Sequence, residues 1–136
     1  GGINLKKNFK NLKKIISRLN KAKIRTSLFI DPSKQNIKIS KEIGTKCVEL
    51  HTGKISILIK KGANFSKELK RIKDASKLAF KHGIEVHAGH GLDYKTTKIL
   101  TKISYIKEFN IGHFIIGESL ESGMPSIIKE FKKIVR

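Results

Sequence analysis

The chain of 136 residues contains one cysteine, two prolines and no tryptophan. A single cysteine leaves no internal disulfide framework. Cys47 lies in the apolar run Cys47-Val48-Glu49-Leu50, which predicts a buried structural thiol rather than a reactive one. No proline-rich or low-complexity stretch divides the chain, so residues 1–136 are expected to form a single segment of one domain. No apolar run approaches the roughly 18 to 20 residues needed to cross a bilayer. The charged start, apolar core and cleavage site of a signal peptide are also missing. The expectation is a soluble cytoplasmic protein without a membrane partner. The initiator methionine is missing too, since the chain opens Gly1-Gly2-Ile3, and this predicts a start inside a larger product.

Acidic residues are scarce: 11 Asp and Glu stand against 30 Lys and Arg, a formal net charge of +19. Clustered basic residues release counterions when they neutralise phosphates, so such a charge raises a nucleic-acid reading. The composition argues against it. The excess is almost all lysine spread along every expected helix, and isoleucine is also abundant, as in a product of AT-rich codons. Arginine, the bidentate reader of phosphate and base, occurs only at Arg18, Arg25, Arg71 and Arg136. Nucleic acid is therefore not the expected partner. The positive field instead favours small anionic substrates by raising their local concentration.

Apolar residues carry the organisation. Leu5, Phe9, Leu12, Ile15, Ile16 and Leu19 recur at spacings of three and four, predicting an amphipathic helix that ends near Lys23. Thr26 to Ile30 reads as a buried strand. Asp31-Pro32-Ser33 then reads as a helix start with proline just inside a capping residue. The helix it opens carries Ile37, Ile39 and Ile43 and stops at Gly44. A second strand spans Cys47 to His51, followed by Ile55-Ser56-Ile57-Leu58-Ile59, which alternates like a strand between basic turns and is read as a loop. A helix from about Ser66 to His82 follows, capped by Ser66, with Leu69, Ile72, Ala75, Ala79 and Phe80 inward and Gly83 at its end. The remaining expectations are a strand from Ile84 to Ala88, a His90-Gly91 loop, a helix from Tyr94 to Ile103 and a strand near Phe109 to Ile111. A terminal helix with Ile127, Ile128, Phe131, Ile134 and Val135 completes the chain. A helix followed by four strand–helix units predicts an α/β fold with a parallel sheet. It fits either a small open sheet or half of an eight-stranded barrel, whose two unpaired edges would invite another chain.

Chemistry-bearing residues gather at the expected strand ends. Val86-His87-Ala88-Gly89-His90-Gly91 and Asn110-Ile111-Gly112-His113 each place glycine and histidine where α/β proteins bind ligands. Glycine permits close approach of backbone to ligand. His90, flanked by glycines, is free to project into a site. His87 faces another side and is expected to be packed behind it. Glu49 and His51 share one strand face, and a carboxylate in that apolar setting serves either as a satisfied structural pair or as an acid–base group. Gly112-His113 before a short helix could offer amides to an anion. No residues show the spacing of a recognisable zinc site, so no metal is expected.

Read together, Ser27-Leu28-Phe29-Ile30-Asp31, Val48-Glu49-Leu50-His51-Thr52-Gly53, His87-Ala88-Gly89-His90-Gly91-Leu92 and Asn110-Ile111-Gly112-His113-Phe114-Ile115-Ile116-Gly117 closely resemble the C-terminal half of the pyridoxine 5'-phosphate synthase family. The order and spacing agree from Gly1 to the end. The resemblance implies parallel (β/α) units making up about the C-terminal half of a TIM-type barrel, in a homo-oligomer that is an octamer in the family. It implies condensation of 1-deoxy-D-xylulose 5-phosphate with 3-amino-2-oxopropyl phosphate, without an organic cofactor. On this resemblance His90 matches the proton-donating histidine and Glu49 the glutamate that stabilises the charged transition state. Gly91, Gly112 and His113 match substrate and phosphate contacts. Further substrate-binding and catalytic groups of the family belong to earlier strands, so the chain is expected to be inactive without an N-terminal half as partner. The alternative is a non-catalytic phosphate-binding or assembly half-barrel.

Overall fold

The computed structural model describes residues 1–135, so Arg136 lies outside the described residues. The order is α1 (Leu5–Lys21), β1 (Ser27–Ile30), α2 (Lys34–Ile43), β2 (Cys47–His51), α3 (Gly53–Lys60), α4 (Ser66–Lys81), β3 (Glu85–Gly89), α5 (Tyr94–Leu100), β4 (Ile106–Asn110), α6 (His113–Ser122) and α7 (Met124–Ile134). The four strands pair in sequence order, all parallel. No described helix is long and apolar enough to cross a membrane.

Strand periodicity divides the sheet into two unlike faces. Leu28, Ile30, Val48, Leu50, Val86 and Ala88 are buried and share one cluster with Ile37, Ile43, Ile55, Ile72, Ala75, Ala79 and Leu100 from the helices. On the other face the register aligns Phe29 with Glu49, Glu49 with His87, and His87 with Glu108. A flat parallel sheet covered by helices on both sides needs two apolar faces. One apolar face and one lined by carboxylates and imidazoles is the pattern of a barrel wall. The fold is therefore α/β, a four-unit part of a TIM-type barrel.

Several boundaries differ from the sequence expectations for physical reasons. Ile55 to Ile59 is not a loop but the core of α3, with Ile55 and Ile59 buried one helical turn apart and Ile57 exposed. β4 begins at Ile106 rather than Phe109. As an edge strand it leaves Lys107 and Glu108 exposed, and only Ile106 is buried in it. Ser33, not Asp31, caps α2 by accepting from the Asn36 amide at 3.1 Å, and Pro32 precedes the helix. Ser66 is the first residue of α4 rather than its cap; its amide donates to the Asn64 side chain at 2.9 Å. Phe80 is exposed and packs on Tyr105, with ring centroids 5.2 Å apart. Ile15 likewise lies outside the buried stripe of α1, as does Val135 beyond α7. α5 stops at Leu100 and α1 at Lys21.

Candidate functional site

Each strand delivers its reactive side chains where it ends. β2 presents Glu49 and His51 on the polar face, and the Glu49 carboxylate accepts a hydrogen bond from Asn110 Nδ2 at 2.7 Å. Asn110 is the last residue of β4, opposite Gly89. Gly89 leaves the room this requires: a Cβ there would lie 1.9 Å from Glu49 Oε1.

His90 follows β3 with φ of 76°, and Gly91 has the same value. A left-handed backbone at a non-glycine residue is sustained only when surrounding bonds enforce it. Thr52 supplies them. Its hydroxyl lies 2.8 Å from the Gly89 carbonyl and 2.9 Å from that of His90, and its amide donates to Gly89 at 2.9 Å. Thr52 is fully buried, so these bonds face no competition from water.

The His90 ring packs against His51 at a centroid distance of 4.7 Å. His51 meets Phe29 edge-on at 5.4 Å, and its Nδ1 lies 3.5 Å from Asp31 Oδ1. Burial, then the neighbouring His90, holds the His51 proton affinity below the ordinary histidine value, against the opposing pull of Asp31.

His90, Gly91, Asn110, Gly112 and His113 line one cleft of about 420 Å³. Glu49 joins it indirectly, through Asn110. Gly112 is the N-cap of α6, and no side chain caps that helix. First-turn amides without intrahelical partners attract anions. Lys60, at the end of α3, also lines the cleft, with its Nζ 4.0 Å from Asp93. Sequence reasoning missed Lys60 because α3 was read as a loop. It missed Asn110 as the partner of Glu49 because β4 was placed too late. A helical reading of Ile55 and Ile59 would have placed Lys60 at the C-terminal end of the helix that Thr52 opens.

His87 is packed, as expected, but it lies on the same polar face rather than on another side. It is buried deeper on the same face, with Nε2 2.8 Å from Glu85, 3.3 Å from Cys47 Sγ and 3.2 Å from Arg25, and Nδ1 3.3 Å from Glu108. Donor atoms of Cys47, Glu85 and His87 lie within 4.8 Å of one another, close enough to hold a metal ion. The guanidinium of Arg25 pairs with Glu85 beside them and already supplies the positive charge. Cys47 is fully buried, and burial raises its thiol pKa, which keeps it protonated and unreactive. Arg71 is likewise committed, its guanidinium forking onto the buried carboxylate of Glu68.

The family model described as "Pyridoxal phosphate biosynthesis protein PdxJ" matches residues 1–136. A pyridoxine 5'-phosphate synthase of Pelagibacter ubique (strain HTCC1062) is 63% identical over 134 residues, covering 98% of this chain and 56% of that protein. Proteins of the same name from Bdellovibrio bacteriovorus and Prochlorococcus marinus (strain AS9601) are each 41% identical, over 136 and 135 residues. They match 100% and 99% of this chain, and 56% of their own lengths. The chain thus spans a little over half the length of these curated relatives.

Proposed function

This chain belongs to the PdxJ family of pyridoxal phosphate biosynthesis proteins, and on that premise we propose that it is the C-terminal part of a pyridoxine 5'-phosphate synthase. The reaction condenses 1-deoxy-D-xylulose 5-phosphate with 3-amino-2-oxopropyl phosphate in a cytoplasmic homo-oligomer. The observation that carries this reading is the shared cleft of His90, Gly112 and His113, with Glu49 bonded to its wall.

Imine formation, dehydration and ring closure each require protons to move, and a positioned acid or base contributes typically about 10² to 10⁴ in rate. His90 donates the proton from its enforced backbone conformation. Glu49 opposes positive charge developing on the substrate, and its bond to Asn110 fixes where that negative charge sits. Gly91 and Gly112 let the backbone approach closely. His113 and the first turn of α6 receive a phosphate, with the Lys60 ammonium nearby.

The remaining substrate contacts come from an N-terminal half, which the polar face and unpaired edges of this sheet are suited to meet. The test combines this chain with the N-terminal half of the Pelagibacter ubique relative and assays pyridoxine 5'-phosphate. Product is expected from the pair and not from either half. Full turnover by this chain alone would refute the need for a partner. Phosphate binding without turnover in the pair would favour a non-catalytic half-barrel.

A further inference from the structure

Glu49, His90, Gly91, Gly112 and His113 account for the proposed chemistry, yet the residue in closest ring contact with His90 has no part in it. His51 sits between Asp31, at the end of β1, and His90, at the end of β3. Its side chain is only 17% exposed. One edge of this arrangement is set by Phe29, whose ring stands at 78° to that of His51. Another is set by Asp31, whose carboxylate faces Nδ1 at 3.5 Å. Because Ser33 caps α2, the Asp31 carboxylate is not used at the helix start and its Oδ1 faces both His51 Nδ1 and the Gly2 amide, each at 3.5 Å. The third is His90 itself, tilted by 38° against His51.

Gly53 shows how closely the two rings are fitted. A Cβ at that position would lie 2.9 Å from His90 Cδ2 and 3.0 Å from His51 Cε1 and Nε2. Gly53 thus carries no side chain where both imidazoles approach its backbone. Thr52 holds the backbone of His90, but rotation about its side-chain bonds is still free. The ring of His51, at 4.7 Å between centroids, limits that rotation more closely than the ring of Phe29, at 6.3 Å.

We propose that His51, held by Asp31 and Phe29, is a positioning residue that sets the orientation of the His90 imidazole for proton transfer. The inference rests on the reading of His90 as the proton donor. A donor must lie within hydrogen-bond reach of its target in a fixed geometry, and misplacement of about 1 Å can cost about 10² in rate. Charge supports the same division of labour. Two imidazoles in contact disfavour double protonation. The surroundings of His51 favour its neutral form: burial and His90 act in that direction, the Gly1 amino group and Arg71 assist, and Asp31 opposes.

The test uses the enzyme reconstituted from this chain and the N-terminal half of the Pelagibacter ubique relative. His51→Gln is expected to lower kcat about tenfold or more, with KM for both phosphorylated substrates changed less than about twofold, because orientation and not binding is lost. The pH profile of kcat is expected to change with it, since a pair of interacting imidazoles becomes a single group. His51→Phe keeps a ring between Phe29 and His90 but presents no nitrogen to Asp31. It is expected to hold stability while remaining slow. Unchanged kcat, KM and pH profile in both variants would overturn the proposal. A readout independent of turnover is the histidine-ring NMR spectrum of this chain. His51→Gln should displace the His90 ring signals, because the two rings are in contact, and coincident signals would also overturn the proposal. If the unsubstituted pair makes no product while the NMR coupling persists, the synthase reading fails and the contact between His51 and His90 stands.

Discussion

Thr52 and His90 are joined through the His90 main chain: one buried hydroxyl lies within 2.9 Å of the carbonyls on either side of the His90 Cα, those of Gly89 and His90. The residue that follows β2 thereby fixes the loop that follows β3, and the two strands present their side chains as one unit. Ser56 extends the link, its hydroxyl donating to the Thr52 carbonyl at 3.1 Å. The first turn of α3 is thus tied to the same loop.

Thr52→Val conserves shape and removes the hydroxyl. The Thr52 amide still serves the Gly89 carbonyl, but the His90 carbonyl loses this donor. His90 is exposed and its bond to Thr52 part-buried, so water replaces the lost bond in part and the urea midpoint is expected to fall by the equivalent of about 0.5–1.5 kcal/mol. Thr52→Ser should recover most of it. Equal midpoints for Thr52→Val and the parent chain would contradict the clamp.

Gly89→Ala tests the close approach of β3 to Glu49. The new Cβ would meet Glu49 Oε1 at 1.9 Å, its Cδ at 2.8 Å and Asn110 Cβ at 3.3 Å. The backbone there is not left-handed, so the cost is overpacking, about 1–3 kcal/mol. The carboxylate is the flexible end and must move. The fold is expected to persist while reconstituted activity falls about 10² or more. Wild-type rates would show that the position of Glu49 is unimportant.

Ile55→Ala and Ile57→Ala separate the helical from the alternating reading of the segment. In α3 Ile55 is fully buried while Ile57 is 55% exposed. Truncation of a buried isoleucine costs about 2–5 kcal/mol, whereas exposed substitutions stay within about 0.5 kcal/mol. Ile55→Ala is therefore expected to destabilise strongly and Ile57→Ala hardly at all. Similar losses at both positions would fit a strand or loop with equivalent isoleucines and not α3.

Most of the architecture was legible because burial and periodicity agree in it. β1, β2 and β3 are short apolar runs whose alternate residues enter the core, and α2 carries its own cap and terminal glycine. The exceptions share one cause, which is that local pattern and tertiary environment diverge. Ile55, Ile57 and Ile59 alternate as in a strand, yet only the pair one turn apart finds a core to enter. β4 borders no further strand among the described residues, so its polar positions hide it. Asp31 looked like a cap because it precedes proline, but Ser33 offers the better-placed hydroxyl, which leaves the carboxylate to face His51. For the site, the glycine–histidine pairs were visible as text. The partners Asn110 and Asp31 could be located only once the strands were aligned, and Lys60 only once Ile55 to Ile59 were seen as helix.

The pH dependence of stability follows from His51. Burial, then His90, lowers its proton affinity from the ordinary value of 6.5, while Asp31 opposes and the Gly1 amino group and Arg71 assist. The unfolded chain therefore binds this proton more tightly than the folded one. Stability contributed by neutral His51 is fully present above the unfolded value and is lost as pH falls from there through the folded value. The urea midpoint is expected to decline from about pH 7 towards about pH 5, with proton uptake on unfolding. His51→Gln removes the titrating ring and should flatten that part of the curve, leaving the steeper acid loss of the carboxylates at lower pH. Superimposable midpoint-against-pH curves for the two proteins would show that His51 titrates alike in the folded and unfolded chains, against the lowering by burial and His90.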